Sequence, residues 1–294
     1  MSKFMASVLT LFVAAMFGSL LGAQTTPNLF WFRFEETSGS SSTNQATLAG
    51  SMFGGFTVTT SGLFTDGMGL ASPPRIQPGA VGSGAVNLFG VSAWLDTGLP
   101  GTTLNASSFT VECWVNTNNV SQEGNAVFSI CTTSAANVTL YIASANNRLA
   151  LEVNGSIAAT STTGTINDGN WHHVALVYNR TAQTATGFVD AVQVFQATAQ
   201  NYTLSAGSNV CFFNGRTTSS FGKWSGRADE ARMHSSALSS TQFASTLAPV
   251  SPTPSDGGSD EEGCTTCDSQ SYGFALFAVA ALLAMSVRIR RRSA

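Results

Sequence analysis

Histidines are the first residues to examine for chemistry, because the chain contains only three. His172 and His173 are neighbours in the run from Trp171 to Val177, which has the apolar, β-branched character of a strand. Neighbouring side chains on a strand point to opposite faces, so these two cannot hold one metal ion from a single face. His234 has no histidine or cysteine near it in the sequence. We therefore favour buried or half-buried, hydrogen-bonded histidines over a metal-binding or catalytic role.

The cysteines favour processing or cross-linking over metal chemistry. Cys264 and Cys267 form a Cys-x-x-Cys pair in a stretch rich in Ser, Thr and Asp. A structural zinc site needs two further ligands, and a redox pair begins a helix after a strand, and the sequence indicates neither. We predict a small disulfide loop, or lipid attachment or processing at Cys264. Cys113, Cys131 and Cys211 form an odd set, so at most one bridge forms among them, and spacing does not choose the pair.

The amino-terminal segment predicts export. Met1–Ala23 has the layout of a secretory signal peptide, with Lys3, an apolar run from Val8 to Phe17, and the small residues Gly22-Ala23 at the end. No cysteine follows the apolar run, so the sequence does not indicate a lipoprotein.

The carboxyl-terminal segment predicts a membrane contact. Val250–Ser271 is a Ser/Pro/Asp-rich tether with too little apolar area to fold. Tyr272 to Val287 carries no charge, is just under the roughly 17 to 25 residues of a membrane-spanning helix, and precedes an arginine cluster. By the positive-inside bias, that cluster stays on the cytoplasmic side. The pattern Gly263-Cys264, apolar helix and Arg288 to Arg292 resembles the tripartite sorting signals of bacterial exported proteins. We favour such a cleaved signal over a permanent anchor, and either over a buried core helix.

The composition of the remaining body, Gln24–Pro249, indicates one all-β domain. Charged residues make up only 10% of the chain and the net charge is −3, so there is no basic field for nucleic acid. Short β-prone runs alternate with Gly, Asn, Ser and Thr, as in a sandwich. These predicted strands are Leu29 to Phe34, Ala85 to Phe89, Ala93 to Thr97, Phe109 to Asn116, Ala126 to Cys131, Val138 to Ile142, Arg148 to Val153, Trp171 to Asn179, Thr186 to Val189, Val192 to Phe195, Asn209 to Asn214 and Gly226 to Met233.

Several of these strands carry family motifs. They occur in this order along the chain: Phe-Thr-Val-Glu-Cys-Trp-Val at Phe109, Trp-His-His-Val-Ala at Trp171, Gly-Phe-Val-Asp at Gly187 and the strand with Asp229-Glu230. Together they resemble the laminin G-like domain of the concanavalin A-like lectin/glucanase group. The resemblance implies a two-sheet antiparallel jelly-roll sandwich that binds rather than catalyses. Ala191 replaces the usual glycine of one turn, and the Gly-rich insert Ser51–Ala80 matches nothing in the family, so we interpret it as a loop beside the sandwich.

The resemblance also frames the question of catalysis. Glucanase relatives use carboxylates at Glu-x-Asp-x-x-Glu spacing on one strand face, because acid and nucleophile must flank one bond about 5 Å apart. That motif is absent here. Glu112 stands alone on its strand, and Asp229 and Glu230 are neighbours that point to opposite faces. We therefore predict that the protein is not an enzyme.

Binding residues follow from the same resemblance. Many such domains hold a calcium ion at a sheet rim, and Asp96 and Asp229 are the candidate ligands on the matching strands. For Asp229 we favour hydrogen bonds to backbone amides or a pair with Arg232, and for Asp96 a role in a rim turn. Trp94, Tyr202 and Trp224 are the candidate aromatic platforms for a sugar.

These observations favour an exported binding or adhesion module at the cell surface or envelope. Its expected partner is a glycan or another surface protein, with a calcium ion as the expected cofactor and the membrane reached through the helix in Tyr272–Ala294. The alternative is a non-catalytic structural component of the envelope or extracellular matrix. If the protein is a specific binder, we expect saturable binding of a ligand. If it is a structural component, we expect self-association without such a ligand.

Overall fold

Two antiparallel sheets pack face to face in a computed structural model that describes residues 26–65, 69–120, 125–132, 136–202, 204–214 and 223–244. All of these lie in the first of two units, Met1–Ser251 and Pro252–Ala294. The predicted signal peptide, the apolar carboxyl-terminal helix, and the pair Cys264 and Cys267 lie outside the described residues. Within the described ranges, no helix has the length and apolar character needed to cross a bilayer.

The strands are short and are numbered in chain order. They are β1 (Phe30–Phe32), β2 (Ser41–Thr43), β3 (Met52–Phe53), β4 (Phe56–Thr57), β5 (Ser61–Thr65), β6 (Arg75–Ile76), β7 (Ala85–Asn87), β8 (Trp94–Pro100), β9 (Phe109–Asn116), β10 (Asn125–Cys131), β11 (Ala136–Ala143), β12 (Arg148–Val153), β13 (Ser156–Thr165), β14 (Trp171–Asn179), β15 (Thr184–Val189), β16 (Val192–Ala197), β17 (Asn209–Phe212) and β18 (Arg227–His234). Two single-turn 3₁₀ helices span Gly101–Leu104 and Ser240–Gln242.

The spatial order of the strands defines two large sheets. The first sheet runs β16-β15-β14-β9-β18-β7-β6, and β1 pairs with β18 beside it. The second sheet runs β13-β12-β11-β10-β17-β8-β5-β2, and β3 and β4 form a separate hairpin. This arrangement confirms the prediction of an all-β antiparallel sandwich. Each predicted strand is present, with ends shifted by a few residues.

Alternation along the strands separates the core from the two outer faces. On β9, Val111, Cys113 and Val115 belong to the core between the sheets, whereas Glu112 and Trp114 point away from it. On β8, Leu95 and Leu99 lie in the core, and Asp96 points away. The outer faces of the two sheets are therefore the places to look for a site.

The interpretation of Ser51–Ala80 as a loop beside the sandwich was wrong. The segment supplies β5, an integral strand of the second sheet between β8 and β2, and β6 at the edge of the first. Phe64 of β5 is fully buried and packs 6.0 Å from Phe34, ring centre to ring centre. Of the other two phenylalanines of this segment, Phe53 is half-buried and Phe56, in the hairpin, is 44% exposed. The sequence did not indicate β5 as a strand, because it reads Ser-Gly-Leu-Phe-Thr and has little β-branched character.

Candidate functional site

Glu112 lies at the centre of a buried polar group on the outer face of the first sheet. Its carboxylate accepts hydrogen bonds from His173 Nε2 at 2.9 Å and from His234 Nε2 at 3.1 Å. The backbone N–H of Ala244 donates a third at 2.8 Å. Because an ionised carboxylate can only accept, both histidines carry a proton on Nε2. The prediction that one of the adjacent histidines is buried and hydrogen-bonded is confirmed for His173.

The segment that follows β18 covers this group. Leu238 and Phe243 pack with Ala175 and Val177 of β14. The Phe243 ring lies 5.8 Å from the His173 ring, centre to centre. The side chains of Glu112 and its two histidine partners are consequently at most 2% exposed.

The covered carboxylate is held in its ionised form. Burial alone would raise the pKa of Glu112, but hydrogen bonds from His173 and His234, together with the charges of His173 and Arg232, hold the pKa well below its usual value. A general acid or base needs a pKa near the working pH and access to substrate. Glu112 has neither, so its arrangement suits a structural role.

His172 has different partners from its neighbour. Its Nδ1 lies 2.8 Å from Asp190 Oδ2, and its Nε2 lies 3.1 Å from Asp168 Oδ1. The hydrogen bond to Asp190 is the largest cause that raises the pKa of His172 above its ordinary value, with Asp168 contributing in the same direction and burial opposing. The two aspartates are 44% and 48% exposed, so solvent screens this ion-pair group.

Glu230 forms a second buried charge group, where β1 meets β18. Its carboxylate accepts hydrogen bonds from Trp31 Nε1 at 2.5 Å, Arg33 Nε at 3.0 Å and Arg232 Nε at 2.8 Å. The backbone of Glu230 has φ of +52°, in the left-handed region that few non-glycine residues occupy. A register shift in the pairing of β18 with β9 occurs at the same point. The irregularity gives Glu230 and the preceding Asp229 separate surroundings.

Asp229 is fully buried against the loop at residues 77–84. Its Oδ2 accepts the N–H of Val81 at 2.9 Å, and its Oδ1 accepts the N–H of Glu230 at 2.7 Å. Burial is the largest cause that raises the pKa of Asp229 to about 8, and the carboxylates of Glu230 and Glu35 raise it further against these two hydrogen bonds. Arg232 pairs with Glu230.

Asp229 packs closely against the loop at Gly79. A Cβ added at Gly79 would lie 2.2 Å from the Gly84 carbonyl oxygen and 2.6 Å from Asp229 Oδ2, so only glycine fits at this position. Calcium is bound by six to eight oxygens, carbonyls included. Within the described part of the chain, no group of three or more His, Cys, Asp and Glu side chains converges on one metal position. Beside Gly79 the structure thus brings together one carboxylate, that of Asp229, and one backbone carbonyl, that of Gly84.

Asp96 lies on the other sheet, in an open groove of about 420 Å³ beside β5 and β8. One of its carboxylate oxygens accepts the N–H of Gly98 at 2.8 Å, which forms a local turn at the rim. The groove combines this carboxylate with hydroxyl side chains and with two exposed leucines. Its lining residues are Thr59, Ser61, Leu63, Thr65, Gly69, Leu70, Asp96, Thr97 and Gly98. Because Asp96 and Asp229 lie on different sheets, they cannot hold the same ion.

The three candidate aromatic platforms are all buried. Tyr202 is 3% exposed and stacks on Tyr178 with ring centres 4.4 Å apart. Trp224 is 1% exposed and belongs to the core. Trp94 is 7% exposed, and the Lys223 ammonium lies 4.8 Å from its ring centre. None of the three rings therefore offers an open face to a sugar.

Sequence reasoning missed most of the groove. It named Asp96, but not Ser61, Leu63 or Leu70, because these residues fall within the segment interpreted as a loop. The sequence signal that could have indicated the groove is a pair of leucines, Leu63 and Leu70, in a polar stretch. In the structure their side chains are 46% and 67% exposed. Recognising β5 as a strand would have placed Leu63 opposite Asp96, which is its partner in the sheet.

The fold defines a lectin-type jelly-roll sandwich. The laminin G domain model of the concanavalin A-like lectin/glucanases superfamily matches residues 89–244, more than half of the chain, and the protein belongs to this superfamily. No curated protein matches the sequence.

Solved structures show the same fold at low sequence identity. Domain 4 of the extracellular arabinanase AbnA from Geobacillus stearothermophilus, solved with arabinotriose, has a TM-score of 0.57 and 14% identity, over 76% of this chain and 100% of that one. A Trypanosoma rangeli sialidase has a TM-score of 0.53 and 11% identity, over 76% of this chain and 33% of the sialidase. This chain thus spans about a third of that enzyme, and at these identities the likeness shows the fold alone.

Proposed function

We propose that this protein is an exported, non-catalytic carbohydrate-binding module whose glycan binds in the groove at Asp96. The observation that carries the proposal is the composition of that groove on an accessible sheet face. Its volume of about 420 Å³ falls in the range of roughly 300 to 1,000 Å³ that is typical of small-ligand sites. It would accommodate a short segment of a glycan chain.

The lining chemistry matches a sugar. A pyranose or furanose ring presents hydroxyl groups at its rim and C–H groups on its faces. The Asp96 carboxylate and the Ser61 hydroxyl line the groove as hydrogen-bonding groups, and the exposed side chains of Leu63 and Leu70 supply apolar contact. The Geobacillus domain of the same fold was solved with arabinotriose, so a short glycan is compatible with such a sandwich.

The spacing of carboxylates supports binding without hydrolysis. Asp96 and Glu152 lie in one row across the second sheet, linked through the paired residues Cys211, Ser129 and Thr139. Four strand-to-strand steps separate them, or about 19 Å along the sheet. Glycosidase carboxylates lie roughly 5 to 9.5 Å apart. This pair is therefore too widely spaced to cleave a glycosidic bond.

The direct test is a glycan array with the purified protein and the variant Asp96→Asn. We expect saturable binding by the parent and an affinity about tenfold or more lower in the variant, because a hydrogen bond to a charged group contributes roughly 1.5 to 3 kcal/mol. Asp168→Asn, in the loop before β14 of the other sheet and also partly exposed, is the matched control and should bind like the parent. Absence of saturable binding, or equal loss in both variants, would contradict the proposal and favour the structural-component alternative.

We further propose that a calcium ion binds at Asp229 and not at Asp96. A buried carboxylate whose pKa is raised to about 8 has much to gain from a cation, and the Gly84 carbonyl oxygen, a donor type that calcium accepts, also lies beside Gly79. The ion would neutralise Asp229 and tie the loop at residues 77–84 to β18.

Thermal unfolding with calcium, with chelator and with magnesium tests this site. Calcium at a hundred times its Kd should stabilise the protein by about 2.7 kcal/mol. We expect the calcium-dependent rise in Tm to disappear in Asp229→Asn and to persist in Asp96→Asn. The shift is measured within each variant, so a change in basal stability does not affect it. An unchanged shift in Asp229→Asn would place the ion elsewhere. Absence of a calcium-dependent shift in the parent would contradict the proposal that the protein binds calcium.

For the two chain ends, we propose a signal peptide at Met1–Ala23 and a cleaved sorting signal in Tyr272–Ala294 that delivers the module to the cell surface. The sequence patterns support this proposal. The mass of the mature protein tests it: loss of both segments is expected. Retention of the carboxyl-terminal segment would instead indicate a permanent membrane anchor.

A further inference from the structure

The three cysteines of the sandwich occupy two separate places. Cys113 lies on β9 and faces the core, where its Sγ approaches the backbone oxygens of Trp114 at 3.2 Å and Asp229 at 3.3 Å. Cys131 ends β10 and Cys211 lies in β17, both in the second sheet. Each of the three is buried and present as a thiol.

The pairing register brings Cys131 and Cys211 together. On β10 and β17, Cys211 lies opposite Ser129 and Cys131 lies opposite Asn209. Residues two apart on a strand share a face, so both thiols lie on the outer face of the second sheet, diagonal to each other. The Ser129 hydroxyl lies 3.4 Å from Cys131 Sγ, and the two thiols lie close enough that Cys131 shifts the pKa of Cys211.

The backbone at Cys131 can accommodate a covalent bond. Diagonal neighbours in a sheet have Cα atoms about 7 to 8 Å apart, slightly beyond the 4.4 to 6.8 Å usual for a disulfide. Cys131 is the last residue of its strand, and its pairing with β11 is irregular between Ile130 and Cys131. A strand end next to an irregular pairing can move the small distance required.

Cys113 is excluded as a partner by the sandwich itself. It points into the core from the first sheet, whereas the other two thiols lie on the outer face of the second sheet. Packed sheets are about 10 Å apart, so the second sheet stands between Cys113 and the other two. A bond to Cys113 would therefore require the second sheet to open, a far larger backbone rearrangement than the small shift needed at Cys131.

We propose that Cys131 and Cys211 form the disulfide bond of the sandwich and that Cys113 stays a thiol. The oxidant is a small or protein disulfide. One cysteine thiolate attacks a sulfur of that disulfide and releases one thiol, and the second thiolate then attacks the mixed disulfide and releases the other. The Cys131–Cys211 bond forms, two protons are lost from the cysteines, and the oxidant leaves as two thiols.

The surroundings of Cys211 in the folded protein determine at which stage of folding the oxidation occurs. The interaction with Cys131, followed by burial, raises the pKa of Cys211 well above its ordinary value. A neutral, buried thiol is a poor nucleophile. Oxidation is therefore expected while the chain folds, before Cys131 and Cys211 are buried.

The test is to refold the reduced full chain with excess oxidised glutathione, alkylate it after unfolding, and map the peptides without reduction. We expect one cross-linked peptide joining Cys131 to Cys211, and alkylated Cys113. Oxidised protein should have a Tm on the order of 10 °C above that of the reduced protein, because the bridge closes a long loop. Cys113→Ser should keep both the cross-link and the Tm difference, and Cys211→Ser should lose both.

Two results would overturn the assignment. One is a cross-link from either residue to Cys113, Cys264 or Cys267, and the other is full alkylation of both Cys131 and Cys211 after refolding in oxidant. The peptide map of the parent protein decides the matter even if Cys211→Ser does not fold. The map requires no glycan, so its outcome is independent of the proposed binding function.

Discussion

Glu112 and Asp96 both point away from the core between the sheets, but they differ in access to solvent. Glu112 lies under the segment that follows β18 and accepts three hydrogen bonds from protein groups. Asp96 lies in an open groove and uses one oxygen for a local turn. On the outer face of the first sheet, Glu112 is therefore buried under protein. On the outer face of the second sheet, the groove at Asp96 carries polar groups that water or a ligand can reach.

The difference shows how the domain separates stability from binding. Disturbing a buried ionised side chain and its partners costs much stability, because removal of one partner leaves the other polar groups buried without a hydrogen-bond partner. Partly exposed side chains can be exchanged with little effect on folding. A domain that covers Glu112 and its partners with protein can therefore vary the exposed residues of the groove at Asp96 without unfolding.

The largest expected effect is the loss of stability in Glu112→Ala. The change leaves His173, His234 and the N–H of Ala244 buried without their acceptor, and breaking such a buried pair costs about 3 to 5 kcal/mol. Urea unfolding would measure it, with Glu112→Gln as a milder variant in case the alanine form does not fold. Asp96→Asn is the matched comparison and should lie within about 0.5 kcal/mol of the parent. Similar losses in the two variants would show that the two faces do not differ in this way.

The same carboxylate predicts sensitivity to acid. The pKa of Glu112 is lower in the folded protein than its ordinary value of 4.5, so its contribution is fully present above that value and is lost as the pH falls towards the folded pKa. We expect the free energy of unfolding to fall below about pH 4.5. Glu112→Gln should flatten this decline, as followed by urea unfolding at a series of pH values. A decline as steep in the variant as in the parent would assign it to other carboxylates.

The contrast between Glu112 and Asp96 also shows what the sequence could predict. Strand alternation places Glu112 on the opposite face of β9 from Val111 and Cys113, and the motifs predicted the fold. The partners of Glu112 lie 61 and 122 residues away in the chain, so no local pattern could identify them. The edge strand β13 was missed as well, because its run of Ser, Thr and Ala has no apolar alternation.

His172 predicts a smaller effect of opposite sign to that of Glu112. Its pKa is raised in the folded protein, so its contribution is fully present below its unfolded value of about 6.5 and is lost as the pH rises through the folded pKa. Because Asp168 and Asp190 are half exposed, we expect less than about 1 kcal/mol. Comparison of Tm between about pH 6 and 8.5 for the parent and His172→Gln measures it. High salt should reduce the difference, and a salt-independent difference would rule out an ion-pair origin.

The smallest expected effect concerns the turn that positions Asp190. Asp190 and Ala191 have φ of +50° and +64°, the two positive values of a type I′ hairpin turn. Alanine is strained there and glycine is not, although glycine adds entropy to the unfolded chain. We therefore expect Ala191→Gly to stabilise the protein by about 0.5 to 1 kcal/mol, measured as a small rise in Tm.

Ala158→Gly is the matched control for this turn. Ala158 lies in β13 and lacks a positive φ, so glycine should weaken that strand by about 0.5 to 1 kcal/mol. Opposite signs for the two substitutions would show that the backbone of the turn, and not the loss of a methyl group, decides the outcome. If Ala191→Gly were also destabilising, the Ala191 side chain would itself stabilise the fold. The backbone strain that we assign to the turn would then be an overestimate.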